Sequence, residues 1–233
     1  MSERLTPADQ VLAAARHPEA SRQLPTTLCQ ALCEALPIDA AALSWLTDTP
    51  YRQLLGVSDE RAVYLEEAEF LAGEGPCVTA AATKQPVLVN DMAQPLPRWP
   101  LFQTCLDGRV DYGAVYAFPL RFESKVFGIA ALLYERPCLI VPGTMRQATH
   151  AVGATAQALL PAFWRLLAHG ELPQWEPAGL LETHWATTHA ASDVLAERLG
   201  LPVEEAQARL RARAFATGRP LPSIAADILA PDS

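Results

Sequence analysis

Apolar residues recur along this chain with two different periods, and the switches between them divide it into elements. Leu28, Leu32 and Leu36 fall at helical spacing behind Thr26, a capping residue, and Pro37 stops that helix. Residues 41–47 alternate loosely with both sides leaning apolar, as a central strand does. Thr47 to Pro50 reads as a turn and Gln53–Leu55–Val57 as the partner strand. Residues 60–71 predict a helix with Val63, Leu65, Phe70 and Leu71 as its apolar positions. Pro86–Val87–Leu88–Val89 predicts a short buried strand, and Pro95 to Pro100 a loop. The strongest sheet signal runs from Tyr112 to Tyr134. Ala114, Tyr116, Phe118 and Leu120 alternate with Val115, Ala117 and Pro119, then Glu123–Ser124–Lys125 forms a polar tip before a second apolar run. That is an antiparallel hairpin, with Pro119 marking a bulge or an edge.

From Pro142 to His169 the period changes to three and four. Met145, Ala148, Val152, Ala156, Leu159, Phe163 and Leu166 line one long amphipathic helix. Pro173, Pro177 and flanking glycines break it, so residues 170–179 read as a linker. Three helical stretches follow. Leu181, Trp185, Thr188, Ser192, Leu195 and Leu199 line the first, which Gly200 ends. Val203, Ala206 and Leu210 line the second, up to Gly218, and Leu221, Ile224, Ala225 and Ile228 the third. Some fifty residues make only a marginal core, so this module is expected to lean on the preceding domain or on a partner chain. The stripes of the long helix and of Leu181–Leu199 together predict a homodimer.

The division is thus a polar, Ala-rich extension over 1–22, an α+β domain over 23–169 with a central antiparallel sheet flanked by helices, a linker over 170–179, and an all-α module over 180–233. No segment is apolar for membrane-spanning length, and Met1–Arg16 has no apolar signal-like run, so a cytoplasmic protein is expected. Five cysteines, an odd number, argue against a disulfide framework. Cys29 and Cys33 lie one helical turn apart without a further pair at zinc spacing and read as buried thiols. The formal charge of -8 excludes a broad nucleic-acid-binding surface and confines any such contact to a local basic patch.

Several motifs fall in a fixed order: Gly73-Glu74-Gly75-Pro76-Cys77, Pro86-Val87-Leu88-Val89 with Asp91, Arg98-Trp99-Pro100, Phe118-Pro119-Leu120 and Phe127-Gly128. They resemble the GAF half of GAF–ANTAR proteins. Leu195-Ala196-Glu197-Arg198-Leu199-Gly200, Glu204-Glu205-Ala206, Leu210-Arg211, and Leu221 with Ala225 resemble the three-helix ANTAR module. The resemblance implies a GAF domain sensing a small molecule or redox change. It implies also a tail that binds paired hairpins in nascent messenger RNA and blocks a terminator. Asp193, Pro202 and Arg213 depart from the family's usual Gly, Ser/Thr and aromatic residue.

The chemistry can be weighed position by position. Gly73-Glu74-Gly75-Pro76 lacks the Lys and Ser/Thr of a phosphate loop and reads as a tight turn. Cys77 sits near a helix start, where a thiol is activated, yet free cysteines more often fill a core. With Cys105 it would give the alternative of a thiol-dependent enzyme of the free methionine sulfoxide reductase type; a third reading is a protein that only dimerises or binds a partner. Trp45, Cys77, Trp99, Phe102, Tyr112 and Tyr116 are the candidates to line a ligand pocket, equally at home in a core. No cofactor can be named, and no metal cluster or catalytic triad motif is visible. Arg198, Arg209, Arg211, Arg213 and Arg219 form the densest basic patch. They are candidate phosphate contacts, or a solvated face with Glu205–Arg209 paired one turn apart.

Overall fold

In a computed structural model, residues 5–17, 22–46, 52–106, 112–169, 175 and 181–230 are described. The expected turn at Thr47–Pro50, most of the linker, and the side chains of Leu166, Leu181 and Trp185 lie outside them.

Helix α1 (Pro7–Ala15) starts in a capping box in which Thr6 and Asp9 hydrogen-bond reciprocally. Its Val11 is fully buried in the core of the domain that follows. Helix α2 (Leu24–Ala35) begins ahead of the expected start: Gln23 is the cap position, and Thr26 lies inside the first turn. Pro25, with its preset φ and missing N–H, suits that first turn and moves the start upstream. Strands β1 (Ala40–Leu46) and β2 (Arg52–Val57) pair antiparallel, and helices α3 (Arg61–Ala72) and α4 (Pro76–Thr83) follow. Strand β3 (Val87–Val89), helix α5 (Pro100–Leu106), the hairpin β4 (Ala114–Phe122)–β5 (Lys125–Tyr134) and the long helix α6 (Pro142–His169) complete the domain.

The five strands form one antiparallel sheet in the order β2-β1-β5-β4-β3. β3 is an edge strand, and its Leu88 is 37% exposed rather than buried as expected, because β4 covers it on one side only. β3 pairs only with Val115–Ala117, so Pro119 lies where β4 is itself the edge, next to a bulge at Leu120/Arg121.

Strand alternation sends side chains to two separate cores. Leu43, Trp45, Tyr116, Phe118, Leu120 and Leu132 face α1, α2 and α6. The apolar stripe of α6 is spent here, against α1, α2 and β4 of the same chain. Ala42, Val115, Ala117, Ile129, Ala131 and Leu133 face the layer that contains α3 and α4.

Helices α7 (Leu181–Leu199), α8 (Val203–Thr217) and α9 (Leu221–Leu229) form the tail. Ala191, Leu210, Ala214, Leu221, Ile224, Ala225 and Ile228 make its small core, which closes only with Phe70 and Leu71 of α3. The module leans on the preceding domain, as its size requires. Among the described residues, no helix is long and apolar enough to cross a membrane.

Candidate functional site

The Gly-Glu-Gly-Pro turn is a connector that lets two acids cap two helices. Gly73 ends α3 in the left-handed conformation, at φ +70°. Gly75 opens α4 at φ +148°, a region closed to other residues, and a Cβ there would meet the Glu69 carboxylate at 2.6 Å. Since Gly75 has no side chain to cap α4, Glu69 does so from α3: its Oε1 accepts from the Cys77 N–H at 2.7 Å. Glu74 acts likewise for α5, accepting from the amides of Leu101 and Phe102 at 2.7 and 3.3 Å. The turn thus pins α4 and α5 against α3.

This packing brings together a group that no local pattern along the chain combines. Glu66 and Glu69 lie one helical turn apart on the buried side of α3, at 1% and 0% exposure. Cys77, also fully buried, joins them from α4. The carboxylate and thiol atoms of the three all lie within 4.8 Å of one another. The hydroxyl of Ser44, on β1, donates to Glu66 Oε2 at 2.9 Å. Two carboxylates are costly to bury, and here hydrogen bonds and the positive end of α4 offset the charge. Two oxygen donors and a sulfur form a set that could hold a divalent cation, or share a proton. The missed signal is an i,i+3 pair of acids on a face that also carries Ala62, Leu65 and Ala68; periodicity alone assigns such acids to solvent.

The sheet separates the six residues proposed for a pocket. Cys77, Trp99, Phe102 and Tyr112 belong to the core on the α3 and α4 side. The indole N–H of Trp99 donates to Thr79 Oγ1 at 2.9 Å, fastening the α5 segment to α4. Tyr112 is buried with its hydroxyl unpartnered, and Arg61 lies 5.3 Å over its ring. Burial pushes that phenol well above its ordinary value.

Trp45 and Tyr116 belong to the opposite core. Trp45 packs in an aromatic cluster with Phe163 at 5.3 Å and Trp175 at 5.9 Å. The Tyr116 hydroxyl donates to the Cys138 carbonyl and reaches Asn90 Oδ1 at 3.0 Å, tying together the segments that follow β3 and β5. Neither side chain reaches the acidic group across the sheet.

Cys29 and Cys77 are buried, and Cys33, Cys105 and Cys138 are half-buried. Burial raises the Cys29 and Cys33 thiols above their ordinary value, and Cys33 also donates to Ser58 Oγ.

The five arginines of the tail do not form one surface. Arg198 and Arg213 are exposed. Arg209 pairs with Glu205 at 2.8 Å, one turn away as expected, and Arg219 with Asp227 at 2.7 Å. Arg211 turns the other way. It is half-buried, bonds to Gln207 at 2.6 Å and lies 5.8 Å over the Phe70 ring of α3. A Cβ on Gly73 would strike its guanidinium, so the glycine that ends α3 also admits a residue of the tail.

The fold recurs in solved structures. The GAF domain of an Acinetobacter phosphoenolpyruvate-protein phosphotransferase aligns with a TM-score of 0.53 at 10% identity, over 68% of this chain and 93% of that one. Its counterpart from Coxiella burnetii gives 0.52 at 17%, over 68% and 94%. The free methionine-R-sulfoxide reductase of Neisseria meningitidis, in complex with its substrate, gives 0.50 at 13%, over 67% and 88%. At these identities the likeness is one of fold. No curated protein matches the chain by sequence. Residues 21–159, more than half of the chain, match the model of the GAF domain, and the chain belongs to that family.

Proposed function

We propose that this chain is a signal-responsive regulator. Its GAF domain, over 23–169, senses a small molecule or a redox change, and its C-terminal helices, over 180–233, bind paired RNA hairpins and control transcription antitermination. One observation carries the sensor-to-tail part. Helix α3 carries Glu66 and Glu69 into the interior, and its last turn, with Phe70 and Leu71, packs against the core of the tail. A ligand or cation that draws the two acids inward moves the surface on which the tail is seated.

The RNA target rests on the resemblance of the tail, supported by four arginines at its surface. Arg198 and Arg213 are exposed, while Arg209 and Arg219 are held only in exposed ion pairs. Such pairs are worth about 0–1 kcal/mol and yield readily to phosphate. A homodimer, presenting two of these clusters, suits a two-hairpin target through effective concentration. Since α6 spends its stripe within the chain, the dimer contact is expected elsewhere, for example around Trp164, 47% exposed beside Phe122.

The thiol-enzyme alternative finds its thiol, Cys77, fully enclosed beside two carboxylates. Turnover of free methionine sulfoxide with a reductant would support it instead.

The deciding experiment is a gel-shift titration of the full chain with paired-hairpin RNA over a range of salt. Wild type is expected to bind, and Arg213→Ala to bind more weakly, with a salt slope smaller by about one. If wild type binds no such RNA while circular dichroism shows its helices intact, the RNA reading fails. Native mass spectrometry for a co-purified small molecule tests the sensor half.

A further inference from the structure

Where the tail meets the sensor domain, the two enclose a cavity of about 220 Å³. Tyr64, Glu67 and Phe70 of α3 form one side of it, and Thr188 of α7 with Leu221 and Pro222 of α9 the other. Its wall also includes Ala68 of α3 and Cys105 of α5, but not the buried acids or Cys77. Its volume exceeds the roughly 150 Å³ of an apolar cavity that admits benzene, so it has room for a substituted ring. Its wall is mostly apolar, with two aromatic rings and one carboxylate. Aromatic faces and a carboxylate together favour a cation. The Phe70 ring already takes one from Arg211, which is not itself part of the wall.

We infer that this cavity is a regulatory site for a small aromatic amine, which seats its ring among Phe70, Leu221 and Pro222, directs its ammonium to Glu67, and holds the tail on α3. The inference rests on the reading that the tail is the sensor's output. Because both modules form the wall, only the docked tail offers the complete site. Mass action then makes the ligand a stabiliser of docking. Docking also holds Arg211 against Phe70, so a bound amine keeps that arginine on α3.

The test titrates the full chain with tryptamine by calorimetry and follows backbone amide exchange in α8 and α9. The comparison ligand is indole-3-acetate, the same ring system with the opposite charge. Tryptamine is expected to bind about tenfold more tightly than indole-3-acetate and to slow exchange in both helices. Glu67→Gln should bring the two affinities close together. Ala68→Leu and, at the rim, Pro222→Phe fill the cavity and should each weaken tryptamine binding. The second serves if the first fails to fold by circular dichroism.

The inference is overturned if millimolar tryptamine gives no binding heat, if binding is unchanged in a folded, filled variant, or if exchange in α8 and α9 is not slowed. A parallel gel shift separates the two readings. Hairpin binding without tryptamine binding overturns the cavity site alone. Tryptamine binding with slowed exchange, in a chain that binds no hairpin, supports the cavity site and overturns the RNA target alone.

Discussion

The two faces of the sheet are equally buried and differently used. The face toward α1, α2 and α6 is filled by large apolar and aromatic side chains. Among its polar tips, the Tyr116 hydroxyl is satisfied by an interstrand tie. The face toward α3 and α4 is apolar too, with Ala42, Ala117 and Ala131 beside Val115, Ile129 and Leu133, but over it lie the acids Glu66 and Glu69, Cys77 and the unpartnered Tyr112 hydroxyl. Polar groups kept in a dry interior are costly unless they are hydrogen-bonded or paired. The first face accordingly stabilises the fold, while the second is the one proposed to bind.

The largest expected effect lies on the first face. Phe118→Ala should lower stability by about 3–5 kcal/mol in urea denaturation, since Phe118 is fully enclosed between sheet and helices. A loss under about 1 kcal/mol would mean that this face is not the stabilising one. Next is Gly75→Ala, at about 3 kcal/mol. It combines a disallowed φ with a Cβ driven into Glu69, so α4 loses its cap as well.

Acid should act on the tail. His189 of α7 packs edge-on to Phe70 at 5.8 Å, and burial lowers its pKa from 6.5 to about 4, with Asp193 opposing. The folded imidazole therefore refuses a proton that the unfolded chain accepts. Stability is full above about pH 6.5 and falls as pH drops toward 4. Allowing for partial exposure, the loss is about 2 kcal/mol. Amide exchange in α7 across that range should accelerate in wild type and much less in His189→Phe. Equal acceleration in both would remove His189 as the cause.

How much of this was legible in the chain follows from what a local pattern can encode. The hairpin, α6 and the three tail helices were readable because their apolar residues repeat with the element's own period. Thr26 misled because capping chemistry competes with a preceding proline, and Pro25 starts the helix first. β3 misled because an apolar run of four cannot tell an edge from an interior. Trp45 and Tyr116 were grouped with Trp99 and Phe102 on aromatic character alone, and only register decides which face a strand residue takes. The acids of the site escaped notice because a glutamate on a helix reads as solvated until the partner helix is placed.

A fourth prediction concerns the same acids. Glu66→Gln keeps an acceptor for the Ser44 hydroxyl and removes a buried charge. Stability should change by no more than about 1 kcal/mol, while binding of any co-purified ligand or of a divalent cation is lost. A large loss of stability with ligand binding retained would make Glu66 a structural residue and equate the two faces.

The smallest effect separates two arginines two residues apart. Arg209 is exposed and paired with Glu205 one turn away, so Arg209→Ala should cost about 0.5 kcal/mol or less. Arg211 has left the solvent for Gln207 and the face of Phe70. Desolvation lowers its pKa, and its stem packs where the tail meets α3. Arg211→Ala should loosen the tail, visible as faster amide exchange in α8 and α9. If docking and RNA contact draw on different arginines, the two variants diverge in opposite senses. Arg209→Ala should weaken hairpin binding equally across RNA sequences and reduce the salt slope by about one, with the tail still docked. Arg211→Ala should leave the salt slope of the docked chain nearly unchanged, because a guanidinium held over Phe70 releases no counterion from RNA. A salt slope reduced by both variants alike would show that Arg211 leaves Phe70 when RNA binds. The docked tail would then be the resting form, and the released tail the one that meets the hairpins.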